Sequence, residues 1–501
     1  MVRATPECVT AAPRLSVPVS DQGAARVTST AAPVVAEADE QLLGAGKPSD
    51  SLSGCSKAAL WPRIDARPDL LRAYPARRLG LNTLPATWSG PGERPAWSTF
   101  VRALAAVFLP FEIGLLIFLV LGTHGMIVPL DKPVTTDFAS FYAAGVLAND
   151  GAPQLVYDQA AHHAAEERAT EPGIEYQFFY YPPIFLLICA PLARLPYLLA
   201  FALFAAVTGL LCLAVVRRIL RSHDRTDLIL VLSFPAVFWT IGLGQNALLS
   251  AALFGAATLL IDRRPVVSGL LFGALCYKPH LGILVPVALA AGKRWRAFAA
   301  AAIGTLALCA VSVAMFGVRT WQTYLDVASG SAGTYEYGRI DFAGMISLFG
   351  SVRLAGGGLG IAYAVQIAVG LVATAAMAWL WWRQADLETR SASLIAATLL
   401  TVPVILLYDL TLAGIAMAWL IRTNRQKDGF PWQQTSFALI FVIAFAMRNI
   451  GGDYHVPLGP IPALMLLTFA FRNATVKRPI GKGLSLEIQW VERISGVARR
   501  D

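Results

Sequence analysis

Long apolar runs separated by short polar connections make up most of this chain. A helix of about 20 apolar residues crosses a lipid bilayer, and the pattern predicts spans at these positions: 101–122, 197–216, 226–243, 246–261, 297–317, 358–382, 391–407, 408–421, 435–450 and 456–472. With the shorter apolar pieces added, we expect on the order of ten to twelve membrane segments. The predicted fold class is an all-α polytopic membrane protein, with its membrane domain over residues 98–475.

Two long polar segments interrupt the apolar runs, at 123–181 and at 318–357. The first segment holds apolar residues at helical spacing, which predicts an amphipathic helix lying on the membrane surface: Phe138, Phe141, Tyr142, Gly145 and Val146. A second, polar helix is predicted over 154–168. We therefore expect a helical first outer loop.

Two shorter interruptions also carry structural meaning. The apolar stretch that ends at Pro191 is too short to span, so it is predicted to be re-entrant or interfacial. Lys278-Pro279-His280 divides the apolar stretch between Arg264 and Lys293, and this break predicts a hairpin of two short helices.

Composition and charge agree with a membrane protein and give it an orientation. Hydrophobic residues make up 56% of the 501 positions and charged residues only 15%, which is too apolar for an ordinary soluble protein. The net charge of +9 comes largely from basic clusters beside the apolar runs, at 217–221, 263–264, 293–296 and 422–427. Such clusters mark cytoplasmic loops, so we expect no nucleic-acid partner.

The same charge rule places the remaining segments. Segment 123–181 carries eight acidic and two basic residues, and both polar segments are predicted to be outside the cell membrane. Residues 1–97 are rich in Ala, Pro, Ser and Gly, and they are predicted to form a disordered cytoplasmic tail. Residues 476–501 are expected to form a second cytoplasmic tail.

Asp137 is the first candidate for chemistry, because it follows the first span at the start of a predicted helix. A carboxylate there can accept a proton from a hydroxyl nucleophile. The alternative is a structural role, as a helix cap or a partner of the helix dipole.

Ionisable residues inside or beside the apolar segments are the second set of candidates. A charge at membrane depth is costly, so these residues are expected to face a polar cavity or one another: Glu112, Lys278, His280, Asp409, Arg448, Asp453 and His455. Lys278 precedes a proline break and could bind a phosphate. Its alternative is an ion pair with Asp409 or Glu112.

Gln245 and Asn246 follow a Gly-Leu-Gly turn between two predicted spans, where their amides could bind sugar hydroxyls or a phosphate. A simple turn with an Asn cap is the alternative. The aromatic residues 178–181, which include Tyr181, fit an interfacial belt or a sugar-stacking platform. No metal-binding or nucleotide-binding motif occurs, so we expect neither a metal nor a cofactor.

Several motifs in a fixed order resemble glycosyltransferase family 87, formerly the domain of unknown function 2029. They are TTDFASFYAAG, VYDQ, FFYYPPIFLLICAPLARLPY, GLGQNALL and RRPVVSGLLFGALCYKPHLGIL, followed by LLYDLTLAGIA with Tyr408 and Asp409. The resemblance spans roughly 105–472. It implies a C-type glycosyltransferase (GT-C) fold in a multi-pass protein of the plasma (inner) membrane.

The resemblance also implies an activity. Family members transfer a hexose, usually mannose, from a polyprenyl-phosphate donor to a lipid or glycan acceptor at the extracytoplasmic face, with inversion. Asp137 matches the aspartate that serves as general base, while Lys278, His280 and Arg448 would offset the charge of the departing phosphate. Two other classes share the many membrane segments, namely a transporter or flippase for a lipid-linked sugar and an O-antigen-type polymerase or ligase.

Overall fold

The computed structural model describes residues 97–128, 132–133, 136–222, 225–330, 332–338, 340–426 and 433–475. The predicted tails lie outside these residues, apart from Trp97, where the first helix begins. The described part is almost entirely helical, which confirms the predicted all-α class.

The N-terminal part consists of one long helix followed by the predicted outer loop. Its elements are α1 (Trp97–Leu121), the two-residue strands β1 (Ile127–Val128) and β2 (Lys132–Pro133), α2 (Thr136–Asn149), α3 (Gln159–Ala169) and α4 (Leu186–Leu192). The two strands pair in an antiparallel register, with Val128 opposite Lys132. Short 3-10 turns precede α3 and α4, at Pro153–Tyr157 and Pro183–Phe185.

The middle part alternates long and short helices. They are α5 (Tyr197–Leu220), α6 (Arg225–Leu232), α7 (Pro235–Gly242), α8 (Ala247–Leu260), α9 (Pro265–Ala274), α10 (Val285–Ala291) and α11 (Trp295–Phe316). Two 3-10 turns, Leu275–Tyr277 and Pro279–Gly282, meet at Lys278 between α9 and α10. The two predicted short helices are therefore confirmed, while α9 packs chiefly against α11 rather than as a hairpin with α10.

The C-terminal part begins with the second polar segment and ends with the last apolar helices. Its elements are α12 (Val318–Gly330), α13 (Ala332–Glu336), α14 (Leu348–Leu354), α15 (Leu359–Trp382), α16 (Leu387–Thr401), α17 (Thr411–Gln426), α18 (Gln433–Tyr454) and α19 (Ile461–Thr475). The 3-10 turn Leu407–Leu410 connects α16 and α17.

Five described helices are long and apolar enough to cross a membrane: α1, α5, α11, α15 and α18. Many of their apolar side chains point outward, for example Leu306 at 68% exposure and Val372 at 70%. Hydrocarbon is the solvent that suits such a surface. The protein interior is formed largely by the shorter helices, and α16 is buried along nearly its whole length.

Three sequence-based predictions are corrected by the structure. Helix α2 is not an amphipathic surface helix, because Phe138 is fully buried and packs against the aromatic rings of Tyr197, Phe201 and Phe204. The predicted span 226–243 is two helices, broken before Pro235. The predicted span 435–450 continues to Tyr454, so the expected break between positions 450 and 456 lies later.

Gly145 shows why α2 packs inside the protein. A Cβ atom at this position would lie 2.2 Å from the carbonyl oxygen of Cys189 in α4. Only glycine permits so close an approach of two helix backbones. Gly145 is thus a packing residue between α2 and α4.

Candidate active site

A cavity of about 530 Å³ lies where the first outer loop meets the connections between the apolar helices. It is lined by residues from six parts of the chain: Asp137 of α2, residues of the 175–181 segment, Gln245, Tyr277–His280, Ile340, and residues 402–406, 408 and 409. Seven of the predicted site residues share this cavity: Asp137, Tyr181, Gln245, Lys278, His280, Tyr408 and Asp409.

Asp137 is held at the first turn of α2 by contacts with the connection between α7 and α8. Its backbone N–H donates to the carbonyl of Leu243 at 2.9 Å. Its Oδ2 accepts a hydrogen bond from Nε2 of Gln245, also at 2.9 Å. The carboxylate is therefore oriented into the cavity by a partner 108 positions away in the chain.

The environment of Asp137 suits a general base. Burial raises the pKa of its carboxyl to about 6, against the opposing effects of the Gln245 hydrogen bond and of the positive charges on Lys278 and Arg448. A base is most effective when its pKa lies near the working pH. At neutral pH this carboxyl is mostly ionised, yet it is more basic than an ordinary aspartate.

The amide of Gln245 has a fixed orientation. Its Oε1 accepts from the hydroxyl of Tyr181 at 3.3 Å and from the backbone N–H of Asn246 at 3.2 Å. These two donors leave the NH₂ group directed at Asp137. Gly244 has a φ of +71°, a conformation that glycine adopts readily, and it turns the chain so that Gln245 faces the cavity.

Lys278 and Asp409 form a buried ion pair on another wall of the cavity. Nζ of Lys278 lies 2.6 Å from Oδ1 of Asp409, and the two side chains are only 4% and 2% exposed. Nζ also lies 5.0 Å from the centre of the Tyr408 ring. Oδ2 of Asp409 accepts from the backbone N–H of Leu406 at 3.4 Å. The ion-pair alternative is thus confirmed, and Lys278 lines the cavity as well.

Three predicted site residues lie elsewhere. Asn246 is fully buried behind Gln245 and does not line the cavity. Arg448 lies near the end of α18, where its Nε is 3.5 Å from Oδ2 of Asp341, and both side chains are about half exposed. His455 is exposed after the end of α18.

The sequence prediction also missed several lining residues. Glu175, Tyr176 and Gln177 belong to the segment between α3 and α4, and Tyr277 precedes Lys278. The run of aromatic residues before the Pro182-Pro183 pair was the available signal for this wall. Residues 402–406 carried no signal, because they form an apolar connection without any group that performs chemistry.

A buried acid and base lie behind the segment that forms this wall. His162 and Glu166 are both fully buried on α3, with Nδ1 of the histidine 3.4 Å from Oε1 of the glutamate. The Nε2–H group of His162 donates to the carbonyl of Ser140 in α2 at 3.1 Å. Oε2 of Glu166 accepts from the backbone N–H of Gln177 at 3.0 Å. The pair thus connects α2 with the cavity wall.

Burial sets the protonation of this pair. It raises the pKa of Glu166 to about 8 and lowers the pKa of His162 to about 4. The glutamic acid therefore keeps its proton at neutral pH while the histidine is neutral. A proton on Oε1 of Glu166 can form a hydrogen bond to Nδ1 of His162. Neither of these two atoms has another hydrogen-bond partner among the described residues.

Comparison with known proteins adds the family. Neither the curated proteins nor the solved structures gave a match. The family model described as Glycosyltransferase family 87 matches residues 179–407, which include Tyr181, Gln245, Lys278 and His280. This match confirms the resemblance over residues 179–407, while Asp137 and Asp409 lie outside the matched residues. Together with the apolar helices it supports a membrane glycosyltransferase in general.

Proposed function

We propose that the protein transfers a hexose, with mannose the first choice, from a polyprenyl-phosphate donor to a lipid or glycan acceptor. The transfer inverts the anomeric carbon and takes place at the extracytoplasmic face of the plasma membrane, in a GT-C fold. One observation carries the proposal: a carboxylate suited to act as a base and a buried lysine line the same cavity of a membrane protein. The family match supports the class of reaction.

The proposed reaction is a single displacement. Asp137 takes the proton of an acceptor hydroxyl, and the hydroxyl oxygen forms a bond to the anomeric carbon of the donor. The bond between that carbon and the phosphate oxygen breaks, and its electron pair leaves with the polyprenyl phosphate. Charge on the sugar ring in the transition state resembles that in glycoside hydrolysis.

Lys278 is the proposed partner of the phosphate. An ammonium group has three N–H donors, and one of them serves Asp409. The Pro279 break places this cation between two short helices rather than within a continuous span. A positive charge in a water-poor cavity stabilises a departing phosphate far more than it would in water. His280 lines the same wall and is the proposed second contact.

The test is sugar transfer by purified protein in lipid nanodiscs. The donor is polyprenyl-phosphate mannose with a labelled sugar, the acceptor is octyl mannoside, and NMR of the product gives the anomeric configuration. We expect a disaccharide with inverted configuration. Polyprenyl-phosphate glucose and polyprenyl-phosphate galactose are tested as donors in parallel. If none of the three donors yields a product, while liposomes containing the protein move a lipid-linked sugar across the bilayer, the protein is a flippase instead.

A further inference from the structure

Three aromatic rings form a row along one wall of the cavity. Tyr176, Phe178 and Tyr180 all line it, and each is partly exposed. The centres of the first two rings are 5.0 Å apart, and those of the second and third are 5.5 Å apart, with Phe178 and Tyr180 stacked at 11°. Phe179, between them, is buried against Phe185 and faces away from the cavity.

Partly buried hydrogen bonds to other segments fix this row in place. The hydroxyl of Tyr180 lies 2.9 Å from Oγ1 of Thr334 in the second outer segment. The carbonyl of Phe178 accepts from the hydroxyl of Ser140 at 3.4 Å, and the backbone of Gln177 is held by Glu166. The aromatic faces are therefore positioned before any ligand arrives, which lowers the entropic cost of binding.

The polar groups beside the row suit a neutral, hydroxyl-rich ligand. Glu175 is exposed and Gln177 is partly exposed, and both line the cavity. A carboxylate and an amide are hydrogen-bond partners for hydroxyl groups. Within 175–181 no residue carries a positive charge, whereas Lys278 lies on a different part of the chain. The row thus disfavours a phosphate and favours the apolar faces and hydroxyls of sugar rings.

We propose that Tyr176, Phe178 and Tyr180 form an acceptor subsite that binds a glycan of two or more sugar units. This inference rests on the proposed transferase function and narrows its acceptor from a lipid or a glycan to a glycan. Tyr176 stands at 70° to Phe178, and Phe178 and Tyr180 are stacked on each other. The ring surfaces that stay exposed pack against the faces of the sugar rings, while Glu175 and Gln177 bind hydroxyls. The row lies in the segment between α3 and α4 rather than in one of the long apolar helices. The charge asymmetry predicts that this segment is outside the cell membrane, where a glycan would arrive. The bound glycan presents its reacting hydroxyl to Asp137.

The test measures binding and transfer separately. Binding of octyl dimannoside, octyl maltoside and octyl lactoside is compared with that of octanol, using protein in nanodiscs and no donor. Phe178→Leu keeps an apolar side chain but removes the aromatic face. We expect this variant to bind the preferred disaccharide about tenfold more weakly, which is about 1.4 kcal/mol, and to leave the KM for the donor unchanged. Tyr176→Leu is the second variant, and Tyr337→Leu, an exposed outer tyrosine that does not line the cavity, is the control.

The outcomes separate this inference from the transferase proposal. Selective loss of disaccharide binding in the two row variants, with the melting temperature and the Tyr337 control unchanged, supports the subsite. If both row variants bind the disaccharide as wild type does, or if no disaccharide binds better than octanol, the subsite is refuted even when hexose transfer occurs. If wild type binds a disaccharide through the row but transfers no hexose, the subsite stands and the transferase proposal fails.

Discussion

At the scale of single residues, Asp137 is the centre of the proposed chemistry. Asp137→Asn keeps the size of the side chain but removes the proton acceptor, and we expect turnover to fall by about 10²-fold or more. Melting temperature in detergent should stay within the range of wild type. Asp150→Asn is the matched control, because Asp150 is an exposed acid of the same loop. Near-normal turnover in Asp137→Asn would contradict the assignment of the base.

The acidity of Asp137 gives a second prediction. The base acts only when it is ionised, so kcat/KM should decline as the pH falls below about 6, the pKa to which burial raises this carboxyl. The hydrogen bond from Gln245 favours the ionised form, and Gln245→Leu removes it. The acid limb of the pH profile should therefore move to higher pH in this variant. An unmoved limb would show that Asp137 does not control the profile.

The ion pair of Lys278 and Asp409 allows stability and activity to be separated. Lys278→Met leaves a carboxylate buried and unpaired, which costs about 3–5 kcal/mol, seen as a lower melting temperature. Adding Asp409→Leu removes the unpaired charge and should restore stability, because an apolar pair of similar volume replaces the ion pair. Turnover should stay low in both variants. Full turnover in the stable double variant would show that Lys278 serves structure alone.

Several site residues could be predicted from the sequence, and the ion pair of Lys278 with Asp409 was one of the alternatives, but the contact of Asp137 with Gln245 could not be predicted. Asp137, Gln245 and Lys278 each stand next to a local signal: a helix start, a glycine turn and a proline break. The contact between Asp137 and Gln245 joins two distant motifs, and no local pattern encodes it. His455 was predicted as a site residue because it is ionisable and stands beside an apolar segment, but α18 ends just before it at Tyr454 and leaves it exposed.

At the scale of elements, the presence of a helix was easier to predict from the sequence than what surrounds that helix. Periodicity identified α2, since Phe138 and Phe141 recur at helical spacing. Periodicity cannot say whether an apolar face meets lipid or other helices, because hydrocarbon and a protein core favour the same residues. The close approach at Gly145 decided this in favour of a protein interior.

The basic clusters are a second case at this scale. Asp262, beside the 263–264 cluster, binds both Arg294 and Arg390 at 2.7 and 3.0 Å. Arg422 pairs with Glu388 at 2.9 Å and lies within electrostatic range of Arg221 and Arg263. Clusters from four separate connections thus meet in one region, as a shared cytoplasmic side would require.

The buried pair between α2 and the cavity wall gives a prediction on stability. Between pH 6.5 and 8 an unfolded glutamate is ionised, while folded Glu166 retains its proton because burial raises its pKa to about 8. The folded state then binds more protons, so stability falls as the pH rises, by at most about 2 kcal/mol in this interval. His162 opposes this decline only slightly, because burial lowers its pKa to about 4 and the unfolded histidine is mostly neutral above its ordinary pKa of 6.5. Glu166→Gln should flatten the decline.

Melting temperatures measured at several pH values check this prediction. Glu167→Gln is the control, because Glu167 lies on the same helix as Glu166 and is less buried. It accepts a hydrogen bond from the backbone N–H of Gly173, which lies beyond the end of this helix. Equal slopes for wild type and Glu166→Gln would mean that Glu166 is ionised in the folded protein. An ion pair with protonated His162 would then replace the neutral pair.

At the scale of the whole molecule, the orientation in the membrane is the open prediction. We expect position 150 to be outside the cell membrane and position 222 to be in the cytoplasm, because of the charge asymmetry of their segments. In a cysteine-free background, Asp150→Cys should react with an impermeant maleimide in intact cells, and Ser222→Cys only after lysis. Labelling of position 222 but not of position 150 would invert the topology.

The ion pair in the cavity has a consequence for the end of the catalytic cycle. A sugar phosphodiester carries one negative charge. The polyprenyl phosphate left after the proposed transfer is a monoester, which carries about 1.5 to 2 negative charges at neutral pH. A lysine without a counter-ion would bind this product more tightly than the donor and would slow each round. Asp409 already occupies one side of Lys278 at 2.6 Å. In the proposed reaction its charge would limit this attraction, so that the polyprenyl phosphate could leave and the next donor could enter.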